Sequence, residues 1–407
     1  MQRLIGDIPG PLERPAETAG AEPSSKLQHA LTEQLEQAAF SSLQRRIVAL
    51  PTCKVRKAFR EVDEFSSCLV TSDVLISAGV TLGAPCESCL AHYLGSSLPM
   101  LAGRGGESIP CSLVRRWCDE GGEMLETAAL PGGHQDDRHN AIRDVIADDL
   151  PRSRTEPSGY FDHVLPQNLD RRVRRGITPD ISARTQLGQP DTRRDEVAVP
   201  VTVFFDVKQL TQGAPGYDRR SADRRGPLRV RAEAVPGEYR YKARCLDRDH
   251  HHQADGTPYP SPPVQEARGL VGPVFATLQA LPTVRGLVVG SFQGASDDVH
   301  ALAREVATRR ATDEWRRMGA RSFSDAYGAY LNDTRARWSG VFWSSWAALM
   351  VGRLPCVGRA DAAVMRLGDV RPGEGPARPG RRGGWPRPAP EPVRYGGGRS
   401  GGATGGG

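Results

Sequence analysis

The spacing of apolar residues changes several times along the chain, and each change marks an element. In residues 26–50, Leu27, Ala30, Leu31, Leu35, Ala38, Ala39, Leu43 and Ile47 recur every three or four residues, which predicts an amphipathic helix closed by Pro51. A second helix is expected near Glu61, carrying Phe65, Leu69, Val74 and Leu75 inward. Residues 138–150 put Ile142, Val145, Ile146 and Leu150 on one helical face and Asn140, Asp144 and Asp148 on another, a stripe open to solvation or to function. Residues 201–208 switch to a period of two. Val201, Val203, Phe205 and Val207 face one way, and Thr202, Phe204, Asp206 and Lys208 the other. A helix is expected from Glu238 through Leu246, another over residues 271–281, and a nearly all-apolar central strand over 284–292. Ser296, Asp297 and Asp298 then open a helix through Val299, Leu302, Val306 and Ala307, the two aspartates acting as caps. Trp315, Phe323, Tyr327, Tyr330, Leu331, Trp338, Phe342, Trp346 and Met350 follow at helical spacing, which predicts one or two packed helices.

Strand, crossover helix and strand define an α/β class with three layers. Five segments follow from the pattern. Residues 1–25 lack periodicity and read as disordered; 26–130 form a helical, cysteine-containing region; 131–310 form the core; 311–358 are C-terminal helices; and 359–407 are a disordered Arg/Gly/Pro tail.

Charge and chemistry sharpen this outline. Asp206 and Lys208 share one face at the end of an apolar strand, and a buried carboxylate and amine there are costly unless something binds them. Asp180, after Pro179 at the end of another short β-branched run, supplies a second carboxylate. Two carboxylates beside a lysine suit phosphodiester hydrolysis: the acids hold Mg²⁺ and the lysine orients water or steadies developing charge. The bland alternative is a capped surface strand. Only five of the 54 basic residues are lysines, leaving 49 arginines, so a lysine at this strand end points to a compact charge wanted there. Net charge is +6, compatible with nucleic acid and equally with coding bias. Arg219, Arg220, Arg224, Arg225, Arg229 and Arg231 lie among Gly and Pro after the strand, in a loop that either meets phosphates or is simply solvated.

Cys86 and Cys89 have the spacing of half a Zn²⁺ site, with Cys111, Cys118 and His134 as completing ligands; unliganded thiols are the other reading. His250, His251 and His252 read as a wet helix end. Eight cysteines without a framework fit a reducing compartment, the N-terminus has no long apolar core, and the most apolar run, 341–352, is too short for a bilayer. We expect an intracellular, nuclear protein.

The Pro179-Asp180 … Asp206-x-Lys208 arrangement resembles the PD-(D/E)xK restriction-endonuclease-like superfamily. The longer order Gly132-Gly133-His134, Arg138-His139-Asn140-xx-Arg143-Asp144, Pro179-Asp180, Asp206-Val207 and Tyr239-xx-Lys242 is similar to the endonuclease region that follows the reverse transcriptase in non-long-terminal-repeat retrotransposons of the restriction-like class. The likeness spans residues 60–310. It implies a three-layer core with a mixed sheet, Asp180 and Asp206 holding Mg²⁺ or Mn²⁺, and a lysine, Lys208 or Lys242, completing the site, with His139 and Asn140 lining it. It also implies DNA as partner, RNA as a second one, and a cut that leaves a 3′ hydroxyl able to prime reverse transcription. The family's zinc knuckle is eroded, because residues 124–130 hold neither His nor Cys. Two rival expectations are a nucleic-acid-binding relic without activity and a degenerate reading frame.

Overall fold

A computed structural model of the chain describes residues 25–49, 53–71, 84–111, 116–130, 132–187, 200–213, 217 and 226–358. The expected disordered ends, Val74, Leu75 and the arginines at 219, 220, 224 and 225 lie outside the described residues.

A four-stranded mixed sheet organises the α/β fold. A small pair comes first in the chain, β1 (Ser108–Ile109) with β2 (Arg116–Trp117). The main sheet then runs in the order β3 (Arg154–Thr155), β4 (Ile181–Thr185), β5 (Val201–Gln209) and β6 (Val284–Val289). β3 to β5 are antiparallel, and β5 to β6 is parallel. A parallel pair needs a long crossover, and the 25-residue helix Gly226–His250 supplies it. Eight helices of eight or more residues are labelled here: α1 (Ser25–Ala49), α2 (Lys54–Glu61), α3 (Ala84–Tyr93), α4 (His134–Asp149), α5 (Gly226–His250), α6 (Pro273–Ala280), α7 (Asp297–Glu314) and α8 (Phe323–Arg353).

Period-two alternation sorts β5 between two cores. Val203, Phe205 and Val207 pack with Ile142 and Ile146 of α4, Val299 and Leu302 of α7, and Trp338 and Phe342 of α8. Phe204 joins Val235, Tyr239 and Ala243 of α5 and Phe275 of α6 on the opposite face. Both faces of the sheet are therefore covered, which explains the nearly unbroken apolar run of β6. At Gly286 a Cβ would stand 2.8 Å from the Ala232 Cα, so only glycine lets α5 lie this close to β6.

Several expectations change. The second helix starts at Lys54 and stops at Glu61; Phe65 and Leu69 are still buried, but from a turn and the short helix Cys68–Thr71. Helix α5 begins twelve residues before Glu238 and carries Pro236 inside it, because Leu228 and Val235 pack against the sheet strongly enough to outweigh the lost backbone bond. Arg229 and Arg231 therefore sit on a helix and not in a loop, paired with Glu233 and Glu238. The stripe predicted for α1 is only partly buried: Ile47 is covered, while Leu35 is 55% and Leu43 43% exposed. The aromatic series forms one long helix, α8, in which Trp338, Phe342, Trp346 and Met350 are fully buried and Phe323 is exposed.

The described part of the cysteine region is well packed. Cys89 and Cys118 join Leu98, Leu101, Leu125, Trp343 and Trp346 in an apolar cluster, and burial pushes the Cys89 thiol up to about 12. Cys86 lies beside that cluster. Among the described residues no group of three or more His, Cys, Asp and Glu is placed to hold a metal ion, so Cys86 and Cys89 are not joined into a zinc site by Cys111, Cys118 or His134.

Candidate active site

The β4–β5 register builds the site. Ile181 pairs with Phe205 in antiparallel register, and one step outward sets Asp180 opposite Asp206. The carboxyl groups lie within hydrogen-bonding reach of each other. Asp180 is fixed from two sides: the Val207 N–H donates to its Oδ2 at 2.7 Å, and His139 Nε2 lies 3.2 Å from its Oδ1. His139 comes from α4, whose Ile142 and Ile146 are buried against the sheet, so helix packing sets the imidazole position.

Asp206 is buried, and its Oδ2 meets Lys208 Nζ at 2.5 Å. Period two places that lysine on the same side of β5, as the sequence implied. The Tyr239 hydroxyl, from α5, donates at 3.2 Å to both Asp206 Oδ1 and the Thr178 carbonyl. It thereby ties Asp206 to the turn that carries Asp180. Lys242, the alternative lysine, stands with its Nζ 5.2 Å from the Tyr239 ring centre, and of the two it is Lys208 that touches a carboxylate.

Electrostatics split the two acids. Burial, together with the neighbouring Asp180, raises Asp206 to about 6, against the pull of Lys208. Burial also works against the charge on Asp180, but the His139 contact, the Val207 N–H and the Asp206 hydrogen bond outweigh it and hold that carboxyl below its ordinary value. Burial and the adjacent acids push Tyr239 well above the usual phenol range, so it remains a donor. The acids titrate as a pair, with the proton held on the Asp206 side until the pH rises through about 6.

The Asp180 backbone is held in turn by Glu156. Glu156, in a left-handed conformation with φ of 45°, donates its backbone N–H to the Asp180 carbonyl at 2.8 Å. Its side chain is held between Arg143, at 2.8 Å, and Arg175, at 2.8 and 2.9 Å. Sequence reasoning did not assign Tyr239, Arg143 or Glu156 to the site. Tyr239 and Arg143 stand inside the quoted motif runs, three residues from Lys242 and four from His139, which was the available signal. Glu156 had none, since its place depends on the β3–β4 pairing.

The residues present suit a divalent cation. Two oxygen-donor carboxylates face each other, and Asp206 Oδ2, a buried atom beside the Lys208 ammonium, has no well-directed hydrogen bond. A cation held there would compete with the proton on Asp206. We expect Mn²⁺ affinity to fall about tenfold per pH unit below about 6 and to level off above it, measured by titration across that range. An affinity independent of pH would contradict the assignment. Stability runs the other way: the folded pKa lies above the unfolded value, so the contribution of Asp206 is present at low pH and lost as pH rises through about 6.

The chain matches no family model, and searches of curated proteins and of solved structures likewise find no match. Among the described residues no helix is long and apolar enough to cross a membrane.

Proposed function

We propose that the protein is a metal-dependent DNA endonuclease-like hydrolase of retroelement origin, with a restriction-endonuclease-like core. The observation that carries this reading is the convergence of Asp180, Asp206 and Lys208 from two paired strands onto one point. Asp180 and Asp206 would hold Mg²⁺ or Mn²⁺, which when bound supplies charge neutralisation and water activation at the phosphate. Tyr239 keeps Asp206 Oδ1 engaged, so that Oδ2 is the atom left for a ligand. Asp180 is held ionised by His139 and the Val207 N–H. The Lys208 ammonium, partly exposed beside Asp206, would donate to a phosphate oxygen or to the incoming water. The product with a 3′ hydroxyl, and its use in priming, belong to the family likeness.

Purified protein is expected to nick supercoiled plasmid with Mg²⁺ or Mn²⁺, and Asp206→Ala is expected not to. Equal cutting by both would remove the assignment. A second reading rests on the finding that, among the described residues, no group of three or more His, Cys, Asp and Glu is placed to hold a metal ion. On it the fold binds nucleic acid without cutting, and the expected result is salt-sensitive DNA binding with no metal-dependent nicking.

A further inference from the structure

Four exposed arginines stand on the two segments that adjoin the Asp180 turn: Arg152 and Arg154 on the chain that forms β3, and Arg171 and Arg172 on the helical turn that precedes it. None of their side chains forms an ion pair or hydrogen bond among the described residues, in contrast to Arg143, Arg174, Arg231 and Arg285, each held by an acid. Their placement is fixed by the site itself. Arg154 lies on β3, the edge strand of the sheet, opposite Ser182 and two residues before Glu156. Arg171 and Arg172 open the helical turn Arg171–Arg175 that leads into Gly176 and the Pro179-Asp180 turn. The two arms meet where Arg175 grips Glu156, whose N–H is bonded to the Asp180 carbonyl.

The carboxylate pair repels a polyanion, so a phosphodiester can approach it only if nearby cations outweigh that repulsion. Guanidinium groups match phosphate oxygens in geometry and are more weakly hydrated than ammonium, so exposed arginines on the segments adjoining the acids are the groups such a chain would meet. We propose that these two arms are the docking surface for the sugar-phosphate backbone of DNA on either side of the scissile bond. Arg152 and Arg154 bind one flank, and Arg171 and Arg172 the other. The inference rests on the endonuclease reading for its choice of DNA, yet the two can fail separately.

The test uses the full chain and a short fluorescent duplex, with anisotropy read in EDTA between about 50 and 200 mM salt. Arg152→Ala/Arg154→Ala and Arg171→Ala/Arg172→Ala are each expected to reduce the slope of log affinity against log salt by up to about 1.8, as for two lost phosphate contacts, with the melting temperature unchanged. The same sequence as a single strand should lose affinity in the same order, with a smaller slope change, since the contacts are to backbone. Wild-type slopes in both double variants would overturn the proposal, as would no binding by the wild type, or competition by polyglutamate equal to that by DNA. If the wild type nicks plasmid and the double variants nick it with the same salt dependence, the docking surface is wrong and the endonuclease stands. If Asp206→Ala and wild type bind alike, neither nicks, and the arginine variants lose slope, the surface stands and the endonuclease fails.

Discussion

Asp206→Asn is expected to abolish metal-dependent cleavage, a loss of at least about 10³-fold, and at the same time to raise the melting temperature by a few degrees at pH near 8. Both effects come from one geometric fact. Asp206 is buried opposite a second carboxylate, and its pKa of about 6 means that the fold carries it ionised only against resistance. Asparagine keeps the shape and can still accept from Tyr239, but it removes the repulsion with Asp180 and supplies no charge for a cation. Lys208 loses a partner at little cost because it is partly exposed and can reach water. A structural carboxylate behaves in the opposite way, since its removal destabilises. Plasmid nicking and thermal unfolding on the same samples separate the two: loss of both activity and stability would assign Asp206 to the scaffold.

The scaffold itself has a larger single dependence. Glu126→Ala is expected to cost about 3–5 kcal/mol in chemical denaturation. Glu126 and Arg138 are both fully buried, with Glu126 Oε1 3.3 Å from Arg138 Nη1. Glu126 also accepts from the Ser291 hydroxyl at 2.8 and 3.0 Å and from the Gln212 N–H at 3.3 Å. One carboxylate thus ties α4 to the chain leaving β5 and to the loop leaving β6. Removing it leaves a guanidinium in a water-excluded site with only the Gln293 side-chain oxygen and the Gly290 carbonyl at 3.3 and 3.5 Å. The paired change Glu126→Leu with Arg138→Leu should recover most of the loss, because two apolar groups leave no orphan charge. A loss under about 1 kcal/mol for Glu126→Ala would show that water reaches Arg138.

The contrast between Arg138 and His139 shows how far the sequence could be read. Both stand in the run Arg138-His139-Asn140 that resembles the retroelement motif, and nothing in the linear pattern separates them. In the fold, successive helical residues point about 100° apart, so Arg138 enters a buried ion pair while His139 reaches Asp180. The site on β5 was legible because period two is a local rule: Asp206 and Lys208 had to share a face. The meeting of Asp180 with Asp206 was only an expectation, since it depends on a register set across residues 186–200, much of which lies outside the described residues. The clasp of Glu61 was not legible at all. Its Oε2 accepts from the Phe292 and Gly294 N–H groups at 2.8 and 3.2 Å, a contact across more than 230 positions. It requires Gly290, where a Cβ would fall 1.9 Å from that oxygen. Long-range polar contacts of this kind leave no periodicity to read. At Pro236 the reverse holds: the residue's local preference to end a helix is overridden by packing on the sheet.

The central claim is that Asp180 and Asp206 together hold one divalent cation. Mn²⁺ binding followed by electron paramagnetic resonance tests it without requiring turnover. One ion per chain is expected for the wild type at pH above about 7, and loss of that ion in both Asp180→Asn and Asp206→Asn. Binding that is absent from the wild type, or equal in all three proteins, would contradict it.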